Sequence, residues 1–202
     1  MRRLADTEAL AKVLAGGGVA LLPTDTLPGL HARADCAAAV ARIRQLKGQQ
    51  AERSLLVLCA TIEQALSLAG PLAPRAVAWA RRCWPGPFTL VLPRGPGVAI
   101  APAVSPDSAT LACRVPALAP LRELVAAAGG PLVSTSANRA GQPPAPDLES
   151  AARFFGALVD AVAAGPWPGP PAAGRASALI DVTGWPPLSL REGPLPPPGW
   201  DD

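Results

Sequence analysis

The sequence of 202 residues has no tyrosine, one histidine (His31) and almost no lysine. All of its 18 basic residues except Lys12 and Lys47 are arginine. These absences exclude a histidine-rich metal site and tyrosine acid–base chemistry. A Ser-His-Asp triad would have a single histidine available, so catalysis by this chain is expected to rely on other groups.

Strong charge and long apolar runs are also missing. The net charge is +3, too small for a dedicated nucleic-acid binder, which carries a basic stripe. No apolar run approaches the length of a membrane span, and Asp6 and Glu8 interrupt the N-terminal segment, so we expect no secretory signal and a cytoplasmic protein without membrane contact. The four cysteines show no zinc or redox spacing and are expected to be buried, reduced thiols.

Half of the residues are hydrophobic, which is enough for a buried core. Helical spacing predicts a helix over 7–15 that ends at Gly16, and another over 36–46 with Asp35 as its N-cap. Helical and strand-like segments alternate, and some strands follow one another directly. This pattern predicts the α/β class with a mixed sheet. We predict one domain over 1–193 and an irregular tail over 194–202.

Two hydroxyl-rich segments follow predicted strands. Residues 23–29 contain two threonines and an aspartate, and can form either a plain turn or a site for a polar ligand. Residues 134–136 are three consecutive hydroxyl residues, followed by Asn138 and Gly141. Such a loop offers hydroxyl and N–H groups to a phosphate or an amino acid. It lacks the pattern of a Walker loop, and a nucleophilic serine would have only His31 as its base, so we favour binding over covalent catalysis.

Basic residues occur at two further places. Lys47 and Arg53 flank a glycine-containing loop and can clamp a polyphosphate, although such loops are often only solvated. On a strand, Thr110, Ala112 and Arg114 share one face. An arginine in this apolar strand needs an anion or a paired carboxylate, so a bound ligand and a structural salt bridge both remain open. Ser177 and Arg191 are unremarkable alone.

Taken together, these segments resemble the YrdC-like threonylcarbamoyl-AMP synthases of the single-domain TsaC type. The resemblance extends from about residue 7 to residue 193. Its matching stretches are GGGVALLPTDTLPGL, IRQLKGQQAERSLLVL, WPGPFTLVLP, TLACRVP, GGPLVSTSANRAGQPP, ASALIDVTG and LREG. It implies a twisted mixed sheet with flanking helices and an open concave ligand face.

The resemblance also implies an activity, in which L-threonine, bicarbonate and ATP, with Mg²⁺, give threonylcarbamoyl-AMP and pyrophosphate. The product would pass to downstream proteins that transfer the threonylcarbamoyl group to tRNA, and a weak contact with tRNA is a further expectation. The implied site has three overlapping groups: a threonine site at Thr26, Arg114, Ser134 and Ser177; an ATP site at Lys47, Gln49, Arg53, Thr110, Ser136, Asn138 and Arg191; and, among the latter, catalytic roles for Lys47, Arg53, Ser136 and Asn138.

Three positions depart from the family pattern. Gln49 replaces an arginine, Pro28 replaces an aromatic residue, and Leu58 stands where many members have a histidine. The first affects the phosphate site and the other two affect the amino-acid pocket. They motivate an alternative, a paralogue of the same fold that binds RNA or nucleotide without synthesis. A carbamoyl-transfer module of the hydrogenase-maturation type is a third possibility, but it normally brings additional domains.

Overall fold

The structure is a computed structural model that describes residues 2–48, 54–105, 109–170 and 172–199. Within these ranges the strands are β1 (Arg3–Leu4), β2 (Ala20–Leu22), β3 (Gly29–Arg33), β4 (Leu56–Leu58), β5 (Phe88–Pro93), β6 (Thr110–Arg114), β7 (Leu132–Ser136), β8 (Ala161–Ala163), β9 (Ala178–Asp181) and β10 (Leu188–Arg191). The helices are α1 (Thr7–Ala15), α2 (Ala37–Lys47), α3 (Ile62–Ser67), α4 (Pro74–Cys83), α5 (Ala119–Ala127) and α6 (Leu148–Phe155).

The strands form one sheet in the order β1-β8-β2-β3-β7-β4-β6-β5-β9-β10. The pairs β1–β8, β8–β2, β4–β6 and β5–β9 are parallel, and the other five pairs are antiparallel. The sheet is therefore mixed, and the predicted α/β class is confirmed.

The two faces of the sheet are covered differently because side chains alternate along each strand. One face, which includes Leu30, Val57 and Cys113, packs against α2, α3, α4 and α6. The opposite face packs against α1 and α5 only around β8, β2, the start of β7 and the end of β4. Toward β10 this second face has no helical cover among the described residues, which leaves an open surface of the kind that the resemblance implies.

The ends of α1 and α2 show what local sequence decides. The helix over Thr7–Ala15 is confirmed, with Asp6 accepting hydrogen bonds from two backbone N–H groups of its first turn. The predicted cap at Asp35 is wrong: α2 begins after Cys36 without a side-chain cap. The Asp35 carboxylate instead pairs with the Arg33 guanidinium. The same carboxylate can cap the helix or pair with a cation, and here it pairs with Arg33.

Helix α2 ends at Gly48, which has a left-handed φ of 62° and directly follows Lys47. We expect Gly48→Ala to lower the free energy of unfolding by about 1–2 kcal/mol, because only glycine adopts this conformation without a steric penalty. A Cβ at Gly48 meets no atom within 4 Å, and neither does one at Gly184, which lacks a positive φ. Gly184→Ala is therefore the matched control, and chemical denaturation of both variants measures the difference. Equal stability of the two variants would contradict the expectation.

Near the C-terminus, residues 194–199 contain neither helix nor strand, and the indole Nε1 of Trp79 donates to the Pro198 carbonyl at 3.0 Å. In the part of the chain that the structure describes, no helix is both long and apolar enough to cross a membrane.

Candidate active site

A cavity of about 370 Å³ opens on the uncovered face of the sheet. Eight of the residues predicted from the sequence line it: Thr26, Lys47, Arg114, Ser134, Ser136, Asn138, Ser177 and Arg191. They come from strands, loops and a helix end that are far apart in the sequence. The fold therefore brings together the predicted amino-acid and nucleotide residues in one place.

Arg114 lies at the end of β6 and is only 2% exposed. Its guanidinium donates to Thr26 Oγ1 at 2.8 Å, to the Gly86 carbonyl at 3.2 Å, and to the Asp25 carboxylate, with which it forms a buried ion pair. Because three different groups hold it, the side chain is fixed before any ligand arrives. The salt bridge that the sequence left open is present, and the same guanidinium also lines the cavity.

Asp25 supports the cavity residue Arg114, and sequence reasoning assigns it no role of its own. Its second carboxylate oxygen accepts from the Ala117 N–H at 3.0 Å, so both oxygens are engaged. Thr24 shapes the same turn, because its hydroxyl accepts from the Leu27 N–H at 3.1 Å and donates to the Leu27 carbonyl at 2.8 Å. The turn after β2 thus fixes the position of Arg114. The acidic residue within this turn is the sequence feature that could have indicated a partner for the arginine.

Lys47, at the end of α2, is 2% exposed. Its ammonium donates to the carbonyls of Ser136 and Asn138 at 2.7 and 2.9 Å, and lies 3.2 Å from Asn138 Oδ1. All three acceptors are neutral, so burial lowers the pKa of Lys47 to about 8. The lysine therefore ties the loop after β7 to α2 and places a cationic group beside the cavity.

The loop after β7 is closed by Asn138. Its Oδ1 accepts from the Ser136 hydroxyl at 2.6 Å, and its Nδ2 donates to the Arg139 and Gln142 carbonyls at 3.0 and 2.7 Å. The Ala140 N–H donates to the Lys47 carbonyl at 2.8 Å. These bonds hold the hydroxyls and backbone groups of the loop against the cavity, as expected for a segment that binds an anionic ligand.

Ser134 is hydrogen-bonded to the single histidine. His31 is fully buried on β3, its Nε2 lies 3.0 Å from Ser134 Oγ, and its Nδ1 lies 2.9 Å from the Gly29 carbonyl. Burial, and secondarily the charge of Arg114, lower the pKa of His31 to about 4. The ring is therefore neutral near pH 7. Sequence reasoning missed this strand because residues 23–29 resemble a turn that continues beyond Gly29.

A smaller cavity of about 220 Å³ adjoins the first, with Ser54, Leu56 and Arg191 lining both. Thr110 lines this second cavity rather than the larger one. Between them, the Arg191 guanidinium donates to the Ser177 carbonyl at 2.9 and 3.1 Å. The residues that the sequence predicts to bind ATP therefore extend over two adjoining cavities along the sheet.

Gln49 and Arg53, both predicted to bind ATP, lie outside the described residues. Pro28 and Leu58, the other two departures from the family pattern, do not line the cavity; Leu27 does. Leu58 packs in the apolar cluster under α1 and α5, and the Pro28 carbonyl accepts from the Ala137 N–H at 2.9 Å. These two substitutions therefore affect the support of the cavity rather than its wall.

The described wall of the cavity suits an anionic ligand. It carries the cations Lys47, Arg114 and Arg191 together with several hydroxyl groups. The Asp25 carboxylate, which supports the wall, is already engaged by Arg114. No group of three or more His, Cys, Asp or Glu side chains with metal-binding geometry occurs among the described residues. Guanidinium and ammonium groups with oriented hydroxyls recognise carboxylates and phosphates.

Comparison with known proteins identifies the family of this chain. A family model named Sua5/YciO/YrdC, with the description "Telomere recombination", matches residues 12–193. The chain belongs to the Sua5/YciO/YrdC family. The threonylcarbamoyl-AMP synthase of Halorhodospira halophila is 40% identical over 77% of this chain and 80% of its own length. The threonylcarbamoyl-AMP synthase of Pyrococcus abyssi is 34% identical over 89% of this chain.

Among solved structures of the Sua5/YciO/YrdC family, P. abyssi Sua5 complexed with L-threonine superposes with a TM-score of 0.86 at 32% identity and covers 96% of this chain. This chain covers 57% of that structure and 52% of the P. abyssi synthase. It thus spans about half the length of these relatives, and most of the length of the Halorhodospira one.

Proposed function

We propose that this chain is an L-threonylcarbamoyladenylate synthase, a nucleotidyltransferase that forms threonylcarbamoyl-AMP and pyrophosphate from L-threonine, bicarbonate and ATP. The observation that carries the proposal is the single cavity in which a pre-positioned Arg114 faces the Lys47-bound loop of Ser136 and Asn138. Curated relatives with this activity at 34–40% identity support it.

On the amino-acid side, Arg114 receives the threonine carboxylate. A guanidinium offers two parallel N–H groups to a carboxylate, and its bonds to Asp25 and Thr26 fix the direction in which they point. Ser134 and Ser177 line the same cavity and supply hydroxyls to the amino acid. Ser177 is held by Thr89, with 2.7 Å between the two hydroxyl oxygens.

On the nucleotide side, Lys47, Ser136, Asn138 and Arg191 bind the phosphates, and Thr110 contacts the nucleotide from the smaller cavity. Gln49 and Arg53 complete the proposed ATP site. We assign Lys47, Arg53, Ser136 and Asn138 to catalysis, because the departing pyrophosphate carries negative charge that fixed cations stabilise without reorganisation. Lys47 and Arg53 supply that positive charge. The Ser136 hydroxyl and the Asn138 amide hydrogens are bonded within the loop, so these two residues shape the loop around Lys47.

The reaction balances without a histidine or cysteine. The threonine amine attacks bicarbonate, and loss of water gives a carbamate. A carbamate oxygen then attacks the α-phosphorus of ATP, and the bond to the β-phosphate oxygen breaks, which releases pyrophosphate. Adenylyl transfer of this kind depends mainly on positioning and charge stabilisation. The scarcity of acid–base side chains in the sequence is therefore compatible with the reaction.

Magnesium enters this proposal with ATP. The side-chain oxygen atoms near Lys47 that could coordinate a metal ion are the Ser136 hydroxyl and the Asn138 amide oxygen. The described cavity residues include no unpaired carboxylate. Mg²⁺ commonly binds through substrate phosphates and water with few protein ligands, so this donor set fits an ion held by the triphosphate. When bound, the ion would offset phosphate charge.

The proposal also includes the extent of the catalytic domain, the fate of the product and the location of the protein. We assign the catalytic domain to residues 1–193, which include the matched range 12–193, and treat 194–202 as a tail. The product is a mixed anhydride, from which downstream proteins transfer the threonylcarbamoyl group to tRNA. This chain itself makes at most a weak contact with tRNA. A cytoplasmic location follows from that role.

The test is amino-acid-dependent pyrophosphate release from ATP in the presence of bicarbonate and Mg²⁺. We expect L-threonine to support release, with mass-spectrometric detection of threonylcarbamoyl-AMP. Glycine and L-valine should support little. The absence of threonine-dependent release, combined with salt-sensitive tRNA binding, would replace the proposal by the non-synthase alternative.

A further inference from the structure

His31 and Ser134 face each other on adjacent strands. They are direct cross-strand partners in the β3–β7 pairing. His31 is fully buried and does not line the cavity, whereas Ser134 does. The serine hydroxyl therefore links the buried imidazole to the cavity.

The backbone decides which ring nitrogen of His31 carries the proton. Nδ1 lies 2.9 Å from the Gly29 carbonyl, and a carbonyl oxygen can only accept a hydrogen bond. Nδ1 must therefore be protonated. The ring is neutral, because burial and the charge of Arg114 hold the pKa of His31 near 4. Nε2 consequently has a lone pair, and at 3.0 Å it accepts the hydrogen of the Ser134 hydroxyl.

Gly29 allows this arrangement. A Cβ built at Gly29 would lie 3.0 Å from Cε1 of His31 and 2.8 Å from the Thr135 carbonyl. The imidazole thus occupies the space that a side chain at position 29 would need. The close approach of ring and backbone keeps Nδ1 within reach of the Gly29 carbonyl.

We propose that His31 is a positioning residue that commits the Ser134 hydroxyl hydrogen inward, so that Ser134 Oγ acts toward the cavity only as a hydrogen-bond acceptor. This rests on the proposed function, in which Ser134 contacts threonine. The cations of the cavity wall, Lys47, Arg114 and Arg191, are donors only. A fixed acceptor is needed for the N–H or O–H hydrogens of the amino acid. Ser134 supplies it and thereby contributes to substrate selection.

The first test uses substitutions that differ in their ability to accept a hydrogen bond. His31→Gln keeps an acceptor, and His31→Leu removes it. We expect H31L to raise the KM for L-threonine by about 3- to 10-fold, with the KM for ATP unchanged and with a smaller effect in H31Q. Ser134→Ala should have at least the effect of H31L, and the double variant H31L/S134A should be no worse than S134A alone.

The outcome against the proposal is equally specific. If the effects of H31L and S134A multiply, or if the KM values for ATP and threonine rise together, His31 is only a structural residue. L-2-aminobutyrate, which lacks the threonine hydroxyl, identifies the donor. If the threonine hydroxyl donates to Ser134, the H31L effect disappears with this analogue; if the amine donates, the effect remains.

The second test needs no His31 substitution and remains available if H31L does not fold. Because the chain has one histidine, side-chain ¹⁵N NMR of the intact protein reports on His31 alone. We expect a protonated Nδ1 and an unprotonated Nε2 at pH 7, with the Nε2 resonance shifted in S134A. A protonated Nε2 would overturn the proposal. Wild-type protein without threonine-dependent activity would instead refute the proposed function, whatever the tautomer.

Discussion

Arg114→Ala is expected to abolish threonine-dependent pyrophosphate release and to destabilise the fold. The substitution removes the proposed carboxylate ligand and leaves the Asp25 carboxylate buried without its cationic partner. Breaking a buried ion pair from one side costs about 3–5 kcal/mol. We therefore expect a clear loss of unfolding free energy in denaturant titrations, together with loss of activity at temperatures where the variant is still folded.

The two effects can be separated because the partner is known. Adding Asp25→Asn to Arg114→Ala removes the unpaired charge and should recover part of the stability, since the neutral amide is cheaper to bury. Threonine-dependent activity should stay absent in the double variant. Arg114→Lys keeps a charge but loses the planar fork, so we expect partial stability with a raised KM for threonine. Recovery of activity in the double variant would show that Arg114 has only a structural role.

This ion pair shows where prediction from the sequence ends. Strand periodicity placed Thr110, Ala112 and Arg114 on one face of β6, and the structure confirms it: Thr110 and Ala112 line the smaller cavity and Arg114 the larger one. The periodicity could not identify Asp25 as the partner, because the two residues are 89 positions apart. A contact at that separation depends on the strand order, which no local pattern specifies.

Strand β3 shows a different limit. Pro28 and Gly29 read as the continuation of a turn, yet pairing with β2 on one side and β7 on the other makes residues 29–33 a central strand. Tertiary pairing overrides the local preference. For this reason the sequence alone gives His31 no partner, and its contact with Ser134 follows only once both strands are placed.

Three hydroxyl residues followed by an asparagine predict a ligand-binding segment after β7, and the structure places this loop on the cavity wall. The sequence does not predict which residue anchors the loop. Lys47 was expected to meet phosphate directly, whereas its ammonium lies against Ser136 and Asn138, whose carbonyls accept its hydrogen bonds. The lysine therefore has two roles in the proposed mechanism: it shapes the loop and it supplies charge.

Lys47→Met is expected to lower kcat/KM for ATP by about 10²–10³-fold, comparable to the loss of a fixed donor in other active sites. The methionine fills similar space but cannot bind the two carbonyls or carry charge. The chain provides a matched control in its only other lysine. Lys12 is exposed, with its Nζ 2.7 Å from the Glu8 carboxylate, so Lys12→Met should leave the kinetics unchanged. Similar losses in both variants would argue against a specific role for Lys47.

The pH dependence of the wild-type kinetics tests the role of the Lys47 charge independently of any substitution. Because burial lowers the pKa of Lys47 to about 8, its charge is present below that pH and is lost above it. The KM for ATP should therefore rise as the pH passes about 8, and this rise should be absent in Lys47→Met.

The contribution of Lys47 to folding stability should instead become more favourable as the pH rises. Between pH 8 and the ordinary lysine pKa of 10.5, the unfolded chain binds a proton that the folded chain has released, so the Lys47 contribution to unfolding free energy increases with pH. We therefore expect the charged form of Lys47 to weaken folding while it strengthens ATP binding.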